Sequence, residues 1–293
     1  HEHPDHFSIP TLSQLKTSKT FLYQQTKDKK VKHFLEKKGH KVIELPNKKT
    51  LQLNDLLITS VECDGHDASL ITKFPNGKVV ININDARVNL DKHLENEIIP
   101  LLKGEDLDLL MFQFSYANWA GNKDDNLTPY YHQKAVDKKN EYAIDLLKPN
   151  KIMPFASFIY FSHEENFYWN KPFSHIIETI DELKESGLNP IIMLPDQEID
   201  INKNNAFIKA SDQNQLAIEF WKEKYRKIRI REYAKPVTIE TLKLLYKNFL
   251  IKINQRNNLK IYNNTLLSDF RLNLFYVNLQ SINFTIYKNR NKV

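Results

Sequence analysis

His1-Glu2-His3-Pro4-Asp5-His6 is a run of three histidines and an aspartate in the pattern H-x-H-x-D-H. Imidazole nitrogens and a carboxylate are donors for zinc, iron or manganese, and single-residue spacers let a turn aim alternate side chains at different ions. The run therefore reads as a two-metal motif. Three plainer readings stand beside it: an exposed His-rich terminus or tag remnant, chelation of copper or nickel by a free amino end, and a secreted copper enzyme with an N-terminal His brace. The last sits poorly with a single cysteine, Cys63, because secreted chains favour disulfides.

Further candidate donors recur downstream. They are Gly65-His66 ahead of a strand, Asp85 at the end of VVININD, and His163 in FIYFSHEEN. This order and these intervals resemble the metallo-β-lactamase fold superfamily. Four stretches are similar in wording to the CMP-N-acetylneuraminate hydroxylase-like branch: HEHPDHFSIPTL, KVVININDARV, DLLMFQFSYANWAGN and KIMPFASFIYFSHEEN, which fall within residues 1–170. A Rieske cluster, which that branch carries, needs two Cys and two His. One cysteine cannot supply it.

The resemblance implies an α/β fold, an αββα metallo-β-lactamase-type sandwich lacking its N-terminal strands, with a C-terminal α+β extension. The expected division is residues 1–200 for the metallo-β-lactamase-like domain and 201–293 for the extension, where the composition turns polar after DQEID. It also implies a ligand set. His1, His3 and His66 would hold one metal, Asp5, His6 and His163 a second, and Asp85 would bridge them. Zinc is the first expectation for the two divalent ions, with iron or manganese as alternatives. Asp5 would double as the catalytic carboxylate that orients the attacking water or takes its proton. Tyr116, Asn118 and Trp119 match a substrate-facing loop of the resembling branch, and Glu164 and Glu165 are candidates to steady a ligating imidazole, against plain loop positions.

Composition narrows the partners. The chain has 293 residues, 41% of them hydrophobic, enough for one sizeable core. No run of 18 apolar residues marks a membrane helix, and the lone cysteine points to a reducing, cytoplasmic setting. A net charge of +6 follows a Lys-rich background rather than a nucleic-acid signature, and six glycines leave no phosphate loop. A small-molecule substrate is the expected partner.

Element patterning agrees with an α/β chain. Pro10 suits the first turn of a helix through TLSQLKTS, FLYQQ and KVIEL read as strands around the helix DKKVKHFLEKK, and Gly39 stops that helix. LLITSVEC, SLITKF and VVININD read as consecutive strands with Asn76-Gly77 as a hairpin signal. ENEIIPLLK suggests a short helix, LDLLMFQF a buried strand and PYYHQKAVDKKNEYAIDLLK a long helix closed by Pro149. KIMPFASFIYF is expected to deliver His163 from the last core strand, followed by a helix at SHIIETIDELKESG and a strand at NPIIMLP. Beyond residue 200, two helices precede a strand pair. His33, His40, His93, His132 and His175 read as ordinary surface histidines.

Three functions follow. The first is a binuclear metal-dependent hydrolase acting on an ester, lactone or phosphoester through a metal-activated water. The second is an iron-dependent oxygenase component served by a separate electron-transfer partner. The third is a non-enzymatic binding module.

Overall fold

The computed structural model describes residues 6–63, 67–86, 89–116, 128–171, 175–201, 203, 206–207, 214–232, 237–256, 270–275 and 281–286. Its elements fall into two compact units, His1–Tyr233 and Ala234–Val293.

The first unit opens with α1 (Ile9–Leu12). Ser8 caps it by accepting from the Thr11 amide, and Pro10 occupies its first turn, where a missing N–H costs nothing. The helix is one turn long and begins upstream of the expected TLSQLKTS segment. A β-α-β unit follows, with β1 (Thr20–Gln24), α2 (Lys30–Lys37) and β2 (Lys41–Leu45), and the two strands pair in parallel. Val31 and Leu35 bury one face of α2, and Gly39 ends the turn at φ +85°, a conformation that suits a residue without a Cβ. Glu44 on β2 ties the unit together: its Oε2 accepts from Lys29 Nζ at 3.0 Å and Lys32 Nζ at 2.8 Å.

The main sheet holds β3 (Thr50–Leu53), β4 (Leu56–Glu62), β5 (Ala68–Lys73), β6 (Val79–Asn84), β7 (Leu109–Gln113) and β8 (Lys151–Ala156) in sequence order. Pairing is antiparallel from β3 to β6 and parallel from β6 to β8. The hairpin between β5 and β6 turns on Gly77 at φ +81°, as Asn76-Gly77 predicts. Parallel neighbours need helical crossovers. The first is α3 (Leu90–His93), a π-helical turn (Leu94–Ile98) and α4 (Ile99–Leu102); the second is α5 (Thr128–Leu147). Two further helices of this unit are α6 (Ile176–Glu185) and α7 (Asn214–Arg226).

Side chains alternate across β6. Val79, Ile81 and Ile83 are buried in the main core with Leu110, Phe112, Ile144, Ile180 and Ile218. Asn82 and Asn84 fall on the opposite phase and line a cavity. Because α7 contributes Ala217 and Ile218 to that core, the change of composition near residue 200 lies inside the first unit, whose boundary falls after Tyr233.

Two expected strands are shorter than their hydrophobicity suggests. KIMPFASFIYF leaves the sheet at Ala156, so His163 sits in a later loop and not on a core strand. NPIIMLP makes a single bridge, Pro190 to Ile152, with the Ile191 amide donating to the Ile152 carbonyl. Apolar side chains alone do not make a strand; here Ile191 and Ile192 are buried without a ladder.

The second unit contains α8 (Ile239–Arg256), entered through Thr238, whose hydroxyl accepts from the Thr241 amide. An antiparallel pair follows, β9 (Phe270–Phe275) and β10 (Ser281–Ile286). Both features match the expected helix and strand pair.

Hydrogen bonds from Lys32 and then Lys29 hold the Glu44 carboxyl below its ordinary value of 4.5. A carboxylate with a depressed folded value contributes stability above the unfolded value and loses it as pH falls through the folded one. Glu44→Gln should therefore lower the urea midpoint at pH 7, and the gap from the unaltered protein should shrink below about pH 4.5. An equal gap at pH 3 and pH 7 would show that the carboxylate charge does not hold α2 to β2.

Candidate metal centre

Asp85 is the first residue past β6, on a strand paired on both sides, so its backbone position is fixed by the register of the sheet. A register shift between Asn82 and Asn84 against β7 precedes it, a distortion of the kind that re-aims a side chain at a strand end. His6 arrives from the other direction, just ahead of α1. The neighbouring Phe7 ring packs edge-on against Phe34 of α2, centroids 5.4 Å apart, which anchors this stretch to the β-α-β unit.

His6 Nε2 meets Asp85 Oδ2 at 2.6 Å. The two side chains are 31% and 25% exposed, open to a cavity of about 270 Å³ and not sealed in the core. Tyr23 and Gln24 of β1, Ser60 of β4, and Asn82 and Asn84 of β6 line the same space, so the pair sits where the β1–β2 ribbon faces the main sheet. An imidazole nitrogen and a carboxylate oxygen converging at a solvent-reachable strand end suit a metal. Two donors on one tetrahedral ion with bonds of about 2.1 Å stand about 3.4 Å apart, so opening this contact by under about 1 Å would admit one.

The remaining expected ligands are distributed differently. His1, His3, Asp5 and His66 lie outside the described residues, as do Asn118 and Trp119. His163 is half-buried in the loop after β8 and forms a single-residue bridge with Arg231. Its amide donates to Asn166 Oδ1, and Asn170 grips the loop through both the amide and the carbonyl of Phe161. Among the described residues no group of three or more His, Cys, Asp or Glu converges, so His163 is not gathered with His6 and Asp85. Glu164 and Glu165 are exposed, and the Glu164 amide donates to the Arg231 carbonyl.

Tyr116 marks where the chain leaves β7. Its amide donates to Gln133 Oε1 at 3.0 Å, and its ring stacks on His132 at 4.6 Å. Gln133, 3% exposed, also donates to the Phe114 carbonyl and to Asp137, so α5 fixes the start of the expected substrate-facing loop.

No family model matches the sequence, and no curated protein does. Structures similar to this one include a variant of the CmlA beta-hydroxylase, at a TM-score of 0.45 and 12% sequence identity. Another is CmlA, a diiron beta-hydroxylase from Streptomyces venezuelae, at 0.43 and 12%. Each similarity covers 66% of this chain and 42% of the other, so the chain spans well under two thirds of the length of those proteins. Neither is named as a member of the CMP-N-acetylneuraminate hydroxylase-like branch.

Two of the five histidines expected at the surface are buried. His40 is 9% exposed; its Nδ1 accepts from the Lys19 amide, and its ring packs edge-on against Phe21. His93 is 5% exposed and shares a 2.8 Å hydrogen bond between its Nε2 and the hydroxyl of Ser69, itself fully buried. A signal for the second pair was present in SLITK: Ser69 is in phase with Ile71 on the buried side of β5, and a serine in an apolar phase requires a polar partner. Ser69→Ala should destabilise the protein by about 1–3 kcal/mol, because it strips the buried imidazole of this bond. A urea midpoint unchanged from that of the unaltered protein would show that the pair adds nothing to the fold.

Proposed function

We propose that the chain is a metal-dependent enzyme of the metallo-β-lactamase type, with its centre at the C-terminal end of β6. The reading is carried by the 2.6 Å approach of His6 and Asp85, two positions that the sequence pattern assigns to the same ion. In this reading His1, His3 and His66 would hold one metal and Asp5 and His6 the other, with Asp85 between them; His163, which the structure holds apart from His6 and Asp85, would join the second metal through a shift of the loop after β8. When bound, two such cations polarise a substrate oxygen and acidify a shared water toward neutrality.

The chain's own residues supply position and selectivity. Asp85 is held by the pairing of β6 on both sides, and His6 by the seat of Phe7 on Phe34. Tyr23, Gln24, Asn82 and Asn84 offer hydroxyl and amide groups to orient a polar ligand beside the pair. A space of about 270 Å³ suits a small molecule or one end of a larger one. Hydrolysis of an ester, lactone or phosphoester is the first chemistry of such a centre, and Asp5 is the carboxylate placed by the motif to take the proton.

A second reading is an iron-dependent oxygenase component. The donor set favours keeping it: imidazoles and carboxylates without a thiolate accept iron as well as zinc. With Cys63 as its single cysteine, the chain would draw electrons from a separate partner.

Elemental analysis decides between them, on protein extended at its N-terminus so that the free amine of His1 cannot chelate. About two metals per chain are expected, and Asp85→Ala should lose bound metal and turnover together. Zinc with cleavage of a lactone or phosphodiester supports the hydrolase. Iron with substrate-coupled oxygen uptake supports the oxygenase. Full activity in Asp85→Ala, or no metal after reconstitution, removes the assignment. Raising salt from about 50 to about 200 mM should leave turnover nearly unchanged, whereas a loss of binding on the order of a thousand-fold would mark a nucleic-acid partner.

A further inference from the structure

Charge is divided unequally between the two units. The second, Ala234–Val293, carries ten of the 42 Lys and Arg but two of the 36 Asp and Glu, a net +8, which leaves the first unit at −2. So basic a segment attracts an anionic partner. The apolar side chains of α8, a helix of this unit, decide which kind.

Tyr246 of α8 is buried, and Leu242 and Ile239, one and two turns before it, are half-buried, so one stripe of the helix is covered. A second set is not: Leu244 is 58% exposed, Leu245 55%, Phe249 48% and Ile251 44%. At about 100° per residue these four fall within an arc of about 160°. One exposed leucine is ordinary, whereas four large apolar side chains on one arc make a patch. Lys243 and Lys247 border the arc and Lys252 stands within it. All three are exposed, and they form no ion pair among the described residues.

The combination selects the partner. A nucleic-acid backbone would engage the lysines but give Leu244, Leu245 and Ile251 nothing to bury against. The surface of a bilayer meets both needs, with headgroup phosphates for the ammonium groups and acyl chains just beneath for the apolar arc. Lysine stems lie along such an arc while their charged ends reach the headgroups. No helix among the described residues is long and apolar enough to cross a membrane, and three lysines inside α8 would make crossing costly. Lying in the surface plane leaves those charges in water. We propose that α8 docks on an anionic phospholipid bilayer, with Leu244, Leu245, Phe249 and Ile251 inserted below the phosphates and Lys243, Lys247 and Lys252 paired with them.

The test is co-sedimentation of the full chain with vesicles at about 100 mM salt, made of phosphatidylcholine alone or with about 30% phosphatidylglycerol. Binding to the mixed vesicles should be tighter by about ten-fold or more. Lys243→Gln/Lys247→Gln/Lys252→Gln should remove that preference. Leu244→Gln/Leu245→Gln/Phe249→Gln should weaken binding about ten-fold or more with every lysine in place. All six side chains are exposed, so neither variant opens the core. No binding to either vesicle, equal affinity for the two, or an unchanged affinity in the apolar variant would each overturn the proposal. So would a dimer in sedimentation velocity that the apolar variant dissociates, which would give the patch to a second copy of the chain. A single-stranded oligonucleotide that strips the chain from vesicles and binds the apolar variant undiminished would give the charge to nucleic acid and overturn it as well.

Discussion

Alternation along Val79–Asn84 is the constraint on which the first unit depends. Each residue of β6 points opposite to its neighbours, so Val79, Ile81 and Ile83 commit one side of the sheet to the helices. Asn82 and Asn84 are thereby committed to the side facing β1 and β2. The strand also marks the switch from antiparallel to parallel pairing, which forces the chain to cross over through helices on one face. Open strand ends next to such a switch are where side chains from distant segments meet. Asp85 stands at one of them.

Local chemistry was the legible part of the fold. Gly39, Asn76-Gly77 and Pro10 act through backbone conformation, which needs no tertiary context, and each punctuates the chain as read. The strands carrying Ile58, Ile81 and Leu110 also announce themselves, because one face of each is uninterrupted by charge. What the sequence conceals is where hydrophobic runs stop being strands. Phe158 continues the apolar run of β8, but it stacks on Trp221 of α7 at 4.3 Å, so tertiary packing and not a ladder claims it. Burial of Ile191 and Ile192 has the same origin.

The site was legible in part. His6 Nε2 and Asp85 Oδ2 stand 2.6 Å apart, and the position of Asp85 at a strand end is written locally. The loop carrying His163 is clasped locally by Asn166 and Asn170, but its bridge is to Arg231, a partner far along the chain that no local pattern announces. Buried polar groups were the least visible class. His93, Ser69 and Gln133 look like surface residues by type, and only the phase of the surrounding apolar positions betrays them.

The bridge between Pro190 and Ile152 has a bearing on self-association. A sheet whose outer strands expose rows of free amides and carbonyls is a template for further strands. On the β8 side, Pro154 removes one donor and the chain at Pro190 and Ile191 occupies the edge around Ile152. On the other side, β3 is four residues long and follows Lys48 and Lys49. Both margins of the six-stranded sheet are thus poor docking sites for a copy of the same chain, and the sheet is discouraged from growing into a polymer.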